Sequence, residues 1–399
     1  MPASGKTAKA PAWGAVIAMA LCATILIVSE FMPVSLLTPI ARDLAITEGH
    51  AGQSISISGF FALVTSLFIS AIIGVSDRRR VVLVFTTLMV VSGVMVALAP
   101  NALLLMAGRA LLGIAIGGFW SISAAIVMRL VPEDSVPKAL ALLNGGNAVA
   151  TTLGAPVGSL LGGLIGWRGA FFCVVPLAIL AFLWQWRSLP TLPPEKATIR
   201  VQDVFALLRH RPFAIGMIAV SLFFFGQFTL FTYLRPFLDL VTDNDAPLIS
   251  AMLLALGIAG FVGTIVIGWL LKSQLYSLLI TIPAMMAIIA VTLAEIDGTP
   301  LKVGLLLTLW GLLATAAPVG WWTWLSKTMP HEAEAGGGLM VAIIQLAIML
   351  GAIVGGVLFD GWGYRGPFSL ATGLLVIASL LAIVTSRISA AYSFTEQPA

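Results

Sequence analysis

The sequence predicts an all-α polytopic membrane protein in which twelve transmembrane helices form two pseudo-symmetric six-helix bundles. Three observations carry that prediction. Hydrophobic residues make up 59% of the 399 positions and charged residues 10%, with a mean hydropathy of +1.06, values that water-soluble domains do not approach. The apolar residues gather into runs long enough to cross a bilayer, separated by short polar stretches. The first half of the chain also matches the second at a nearly constant offset. A net charge of +4, spread over the polar stretches, reads as loop charge that orients the chain and not as a nucleic-acid surface.

The expected spans are 12–42, 50–76, 81–99, 102–128, 137–165, 169–187, 213–240, 247–271, 275–294, 302–326, 335–359 and 367–386. Lys6 and Lys9 precede the first, but that run is too long for a cleaved signal peptide and others like it follow. Between Trp13 and Ile40 its only ionisable side chains are Cys22 and Glu30. A helix of that extent is about 40 Å long and places Glu30 roughly 15 Å from its far end. An acid at that depth either pairs with a buried base or marks a substrate or ion path. Cys22 and Cys173 lie in apolar runs without the spacing of a metal site or disulfide framework. His50, His210 and His331 fall in expected loops or at their edges, so no metal site, cofactor site or enzyme is expected.

An even number of spans puts both termini on one face. Fifteen Lys and Arg residues fall on that face and six on the other or at adjoining helix ends, which makes the termini cytoplasmic by the positive-inside rule. One long connection, Ser188 to Pro212 with Pro190, Pro193 and Pro194, separates an N-terminal bundle, 1–187, from a C-terminal bundle, 213–399, leaving 188–212 as a cytoplasmic linker. At an offset of 197, Glu30-Phe31 falls on Gln227-Phe228, Pro39 on Pro236, and Gly166-Trp167-Arg168-Gly169 on Gly363-Tyr364-Arg365-Gly366. At 198, Arg129 and Pro132 fall on Lys327 and Pro330, Gly158 on Gly356, and Asn147 on Gln345. Ordered matches of this kind are the mark of an internal structural repeat.

Three stretches carry further information. Span 4 contains Gly108-Arg109-Ala110-Leu111-Leu112-Gly113-Ile114-Ala115-Ile116-Gly117-Gly118, whose spacing puts Arg109, Gly113 and Gly117 along one helical stripe. Small residues there permit close helix contact. Arg109 lies at a depth comparable with Glu30, either as a counter-charge against which a proton or substrate competes, or as a snorkelling topology charge. In span 5, Gly154, Gly158 and Gly162 share a face, and Pro156 removes a backbone donor and bends the helix. Between spans 2 and 3 stands Gly74-Val75-Ser76-Asp77-Arg78-Arg79-Arg80.

With the repeat, these stretches resemble the major facilitator superfamily. The resemblance implies two bundles that enclose a central cavity near the bilayer midplane and rock about it. The loop from Gly74 to Arg80 resembles that family's Gly, Asp and Arg-rich loop, although its glycine stands three residues before Asp77 and a second loop glycine is absent. The resemblance assigns Asp77 and Arg78 to conformational switching, with Asp77 meeting a partner helix N-terminus, for which Gly336-Gly337-Gly338 at the start of span 11 is the candidate. Arg109, Gly113 and Gly117 look like the motif of the family's proton antiporters. Gly154, Pro156 and Gly158 look like that of its exporters, with Ala155 in place of the usual glycine.

A finer resemblance covers nearly the whole chain. Glu-Phe-x-Pro-Val-x-Leu-Leu-x-x-x-Ala-x-Asp-Leu from Glu30 to Leu44, Gly118-Phe119-Trp120-Ser121, Met128-Arg129-Leu130-Val131-Pro132 with Val136-Pro137-Lys138-Ala139-Leu140, and Pro318-Val319-Gly320-Trp321 are similar to the bacterial purine ribonucleoside efflux pumps. The arabinose-type sugar exporters share part of this set. The resemblance implies proton-driven antiport of inosine or guanosine across a bacterial inner membrane, by a monomer that needs no cofactor, with Glu30 and Arg109 as the proton-coupling pair. A neutral nucleoside requires flat aromatic surfaces and uncharged donors and acceptors. Gln53, Phe119, Trp120, Asn144, Asn147, Gln227, Trp321, Trp322, Trp324 and Gln345 are the candidates, each of which could also serve as an interfacial anchor or interhelical contact. A sugar or drug exporter of the same superfamily is the alternative.

Overall fold

Prolines and glycines decide where the long apolar runs break. The computed structural model describes residues 12–74, 76–193, 206–295, 299–329 and 333–395, so Lys6, Lys9, Lys196, Arg200, Pro330 and His331 lie outside the described residues. The helices are α1 Trp13–Asp43, α2 Glu48–Ile73, α3 Arg78–Ala97, α4 Ala102–Leu130, α5 Val136–Ser188, α6 Arg211–Thr232, α7 Leu234–Val241, α8 Ala246–Glu295, α9 Pro300–Thr328, α10 Ala333–Trp362 and α11 Arg365–Thr395. Taken at their breaks, they supply the twelve expected crossings. Two pairs of expected spans are continuous, with no loop between them: α5 turns at Gly166, where φ is 77°, and α8 at Gln274. Gly166 and its repeat mate Gly363, at φ 63°, both take the left-handed backbone that glycine adopts without penalty.

The seventh crossing departs from expectation by splitting into α6 and α7 around Tyr233. Pro236 explains the split. It lacks the N–H that would bond the carbonyl of Thr232, and its ring crowds that carbonyl. Its repeat mate Pro39, together with Pro33, lies inside α1 without ending the helix.

Packing follows the repeat. One apolar core is built from residues between Ala15 and Leu192 with Tyr233 added, and the other from residues between Leu207 and Ala382 with Val34, Ile55 and Ala155 added. In the first half, a Cβ at Gly113 of α4 would collide with the carbonyl oxygen of Ser58 in α2. In the second, a Cβ at Gly311 of α9 would collide with the carbonyl oxygen of Leu256 in α8. Both partners of the first contact map onto both partners of the second at an offset of 198. Backbones that approach this closely gain the van der Waals contact that holds helices together where lipid gives no hydrophobic drive.

The halves meet along α1 with α7, α2 with α10, and α5 with α8. Hydrogen bonds between them cluster toward the face that carries the turns at 44–47 and 242–245. At the opposite face, which carries the linker, Asp77 accepts from Leu192 N, and Arg129 donates to Pro193 O. The hydrogen bonds that join the halves among the described residues thus lie mainly toward the turn face.

Candidate transport site

Building the site starts from Pro33, which leaves the carbonyl of Ser29 without its helical donor. Arg109 of α4, fully buried, fills the gap: Nη1 donates to Ser29 O at 2.6 Å, Nη2 to Glu30 O at 3.0 Å and to Ser58 Oγ at 3.0 Å, and Nε to Ser54 O at 3.1 Å. The guanidinium thus ties α1, α2 and α4 together, and for Ser29 O it replaces the helical donor that Pro33 lacks. Arg109 holds the peptide oxygen of Glu30 and makes no hydrogen bond to its carboxylate.

The carboxylate itself turns to the other half. Glu30, 3% exposed, accepts through Oε1 from Nε2 of Gln345 in α10 at 3.5 Å. Next to it Phe31 stacks on Phe228 of α6, ring centroids 5.6 Å apart and planes 19° from parallel, with Phe231 edge-on at 6.3 Å. Phe31 and Phe228 are repeat mates, as are Glu30 and Gln227. The amide oxygen of Gln227 is buried without a hydrogen-bond partner. A titratable acid, two amides and facing aromatic rings therefore share the region where the halves meet.

Other sequence candidates are placed elsewhere. Phe119 is fully buried in the first half's core, edge-on to the partly buried Trp120 at 6.0 Å. Trp321 and Trp324 are buried in the second half's core, where Trp324 stacks on Phe213. Trp322 is 42% exposed and Gln53 is exposed. Asn144 and Asn147 lie on α5, and their side chains fall outside the described residues.

Asp77 caps α3 by accepting from Arg79 N at 2.8 Å, and also from Leu192 N at 3.1 Å. Arg78 turns back on the carbonyls of Gly74 and Ser76. The hydrogen-bond partners of Asp77 here are thus the first turn of its own helix and the linker, and not the start of span 11. Gly154, Pro156 and Gly158 are buried against α1, where a Cβ at Gly158 would meet Ser35 and Met32.

At the turn face the structure reveals residues that sequence reasoning missed. Asp360 of α10 sits at the N-terminus of α2, accepting from Gly49 N at 3.0 Å and Thr47 Oγ1 at 2.7 Å. Tyr233 donates to Ala352 O at 2.7 Å and stacks on Phe359. Arg235 donates from Nη1 to Ser35 O at 3.1 Å and Ser159 Oγ at 2.9 Å, and from Nε to Asp239 at 2.9 Å. Ser35 O is the carbonyl that Pro39 leaves without a helical donor, so the prolines were the available signal.

Two repeated halves of membrane-crossing helices that meet around buried polar groups define the architecture of a two-bundle membrane transporter. The family model of the Major Facilitator Superfamily matches residues 19–346, and the chain belongs to that superfamily. It is a membrane transporter and not an enzyme. It is 53% identical over 381 residues to the transcription regulatory protein OpdE of Pseudomonas aeruginosa, covering 94% of each chain. It is 42% identical over 379 residues to the purine ribonucleoside efflux pump NepI of Salmonella typhimurium, covering 95% of each. Among solved structures, a bacterial homologue of the human lysosomal transporter Spinster superposes with a TM-score of 0.77 at 17% identity, covering 95% of this chain and 98% of that one. That likeness speaks for the fold.

Proposed function

We propose that this transporter exports purine ribonucleosides, inosine and guanosine among them, in exchange for protons. The observation that carries the reading is the Glu30 carboxylate, buried at the junction of the halves and bonded across it to Gln345. Ionised, Glu30 accepts a charge-assisted bond that draws α1 and α10 together. Protonated from the outer side, it keeps only a neutral bond, and the halves can change partners. Its repeat mate Gln227 has a similar shape and does not titrate, so coupling resides in one half. The 42% identity to NepI over 95% of the chain supports the nucleoside.

The same proposal places the chain in a bacterial inner membrane as a monomer with both termini cytoplasmic. The bundles are 1–187 and 213–399, joined by a linker over 188–212. The turn face is then the outer face. The identity to OpdE, a protein named as a transcription regulator, favours a second reading in which the same fold senses or supplies a solute that controls expression.

Uptake of labelled inosine, and separately arabinose, into inverted membrane vesicles tests the proposal. Inosine accumulation that requires an inside-acid gradient and disappears in Glu30→Gln is the expected result. A Glu30→Gln protein that still drives uphill export removes Glu30 from coupling. Accumulation of arabinose alone replaces the nucleoside by a sugar, and failure with both favours the sensing protein.

A further inference from the structure

A line of unpaired polar atoms leads from the centre of the molecule to a cavity at the turn face. On α1, Glu30, Val34, Thr38 and Arg42 recur at spacing four. In the second half the residues at the 197 offset, Gln227, Phe231, Arg235 and Asp239, form the matching row through α6 and α7. Gln227 Oε1, Thr38 Oγ1 and Asp239 Oδ2 are each buried without a hydrogen-bond partner. Buried groups of this kind are normally satisfied, and three on two equivalent rows call for a common cause.

The rows end in a cavity of about 370 Å³ lined by Thr38, Pro39, Arg42, Asp43, Arg235, Asp239 and Asn244. Arg235 and Asp239 are each 7% exposed. Arg235 is also the residue that ties the halves together through Ser35 O and Ser159 Oγ. At the rim Arg42 has no hydrogen-bond or ion-pair partner among the described residues, whereas neighbouring Asp43 is committed to Arg168 and Trp167.

We infer that this cavity is an outer solute station that takes a neutral, hydroxyl-bearing ring such as a ribose, and that the unpaired atoms of Thr38 and Asp239 are its partners once the outer face parts. A cation meets Arg42 and Arg235 there. An anion meets the free oxygen of Asp239. A hydroxyl satisfies both, donating to Asp239 Oδ2 or Thr38 Oγ1 and accepting from Arg42. The Pro39 ring offers an apolar face for the C–H side of a sugar, and the volume lies in the range of small-molecule sites. Because Arg235 belongs both to the station and to the tie between halves, a solute that engages it acts on the outer closure directly. The choice of a riboside rests on the nucleoside reading above; the location of the station does not.

Labelling of Asn244→Cys, in a background with Cys22→Ser and Cys173→Ser, by a membrane-impermeant maleimide from the outer side tests the station. Methyl β-ribofuranoside and inosine are expected to slow labelling in a saturable way. Thr38→Val and Arg42→Gln are each expected to raise the half-protecting concentration roughly five-fold, the loss of one hydrogen bond. Absence of protection overturns the inference. So does protection undiminished in both variants, which places the solute elsewhere, or protection by glycine betaine or sulfate in preference to the riboside. Riboside protection in a protein that exports no nucleoside keeps the station and removes the proposed cargo, and export without protection does the reverse.

Discussion

Arg109 donates to the carbonyl oxygen of Ser29 at 2.6 Å, the oxygen whose helical donor would be the N–H that Pro33 lacks. Arg235 does the same for Ser35 O at 3.1 Å, one carbonyl turn back from Pro39. Each proline in α1 thus has its own arginine. The first arginine belongs to the same half as α1, so its bond braces that half. The second comes from the other half, so its bond joins the two halves at the turn face.

The first pairing predicts a coupled pair of substitutions. Arg109→Leu removes four hydrogen bonds of a buried guanidinium and leaves Ser29 O without a donor, and should lower the stability of the purified protein by about 3 kcal/mol, as loss of charged hydrogen bonds does. Pro33→Ala restores the helical donor to Ser29 and should recover about 1 kcal/mol of that loss in the Arg109→Leu background while giving little alone. Thermal unfolding of the four proteins in detergent measures the cycle. Strict additivity would remove the proposed pairing.

A second prediction concerns the outer closure. Asp360→Ala removes the acceptor for Gly49 N and Thr47 Oγ1 and leaves the N-terminus of α2 without its carboxylate. The ratio of closed to open outer face should fall about tenfold, equivalent to about 1.4 kcal/mol. Ser250→Cys, placed in the interface where Ser250 bonds Ser159, reports the opening through its rate of labelling by an impermeant thiol reagent. Unchanged labelling in Asp360→Ala would show that this contact does not hold the face shut.

The repeat makes a third. Gly113→Val and Gly311→Val each force a side chain into a backbone carbonyl of the neighbouring helix and should cost about 3 kcal/mol or more, with matching loss of folded protein. Gly268→Val and Gly373→Val, where an added Cβ meets nothing within 4 Å, should be tolerated. Expression followed by size-exclusion chromatography separates the two groups. Equal yields from all four would mean that the halves are not held by these approaches.

Much of this was legible beforehand, for reasons that differ by residue. Helix number and repeat follow from hydropathy and spacing, which the bilayer dictates locally. The close approach at Gly113 could be read because only a missing side chain permits it. Arg109 was legible as a deep charge at the level of Glu30, yet its partners are main-chain oxygens. The rotation of α4 about its axis, which aims the guanidinium, leaves no trace in residue spacing. Arg235 was counted with the charges that orient the chain, because its function depends on a carbonyl freed two hundred residues earlier in the sequence. The break at Tyr233 could have been taken from Pro236, had that proline not shared its position with Pro39, which interrupts nothing.

The stack of Phe31 on Phe228 joins two residues that the repeat makes equivalent, so the axis relating the halves passes between their rings. A contact on that axis is made by the same sequence position of each half, so the two sides of it are rings of one kind. The equivalence fails at the adjoining position in the chain, where one half carries the carboxyl group of Glu30 and the other an amide of the same outline, Gln227.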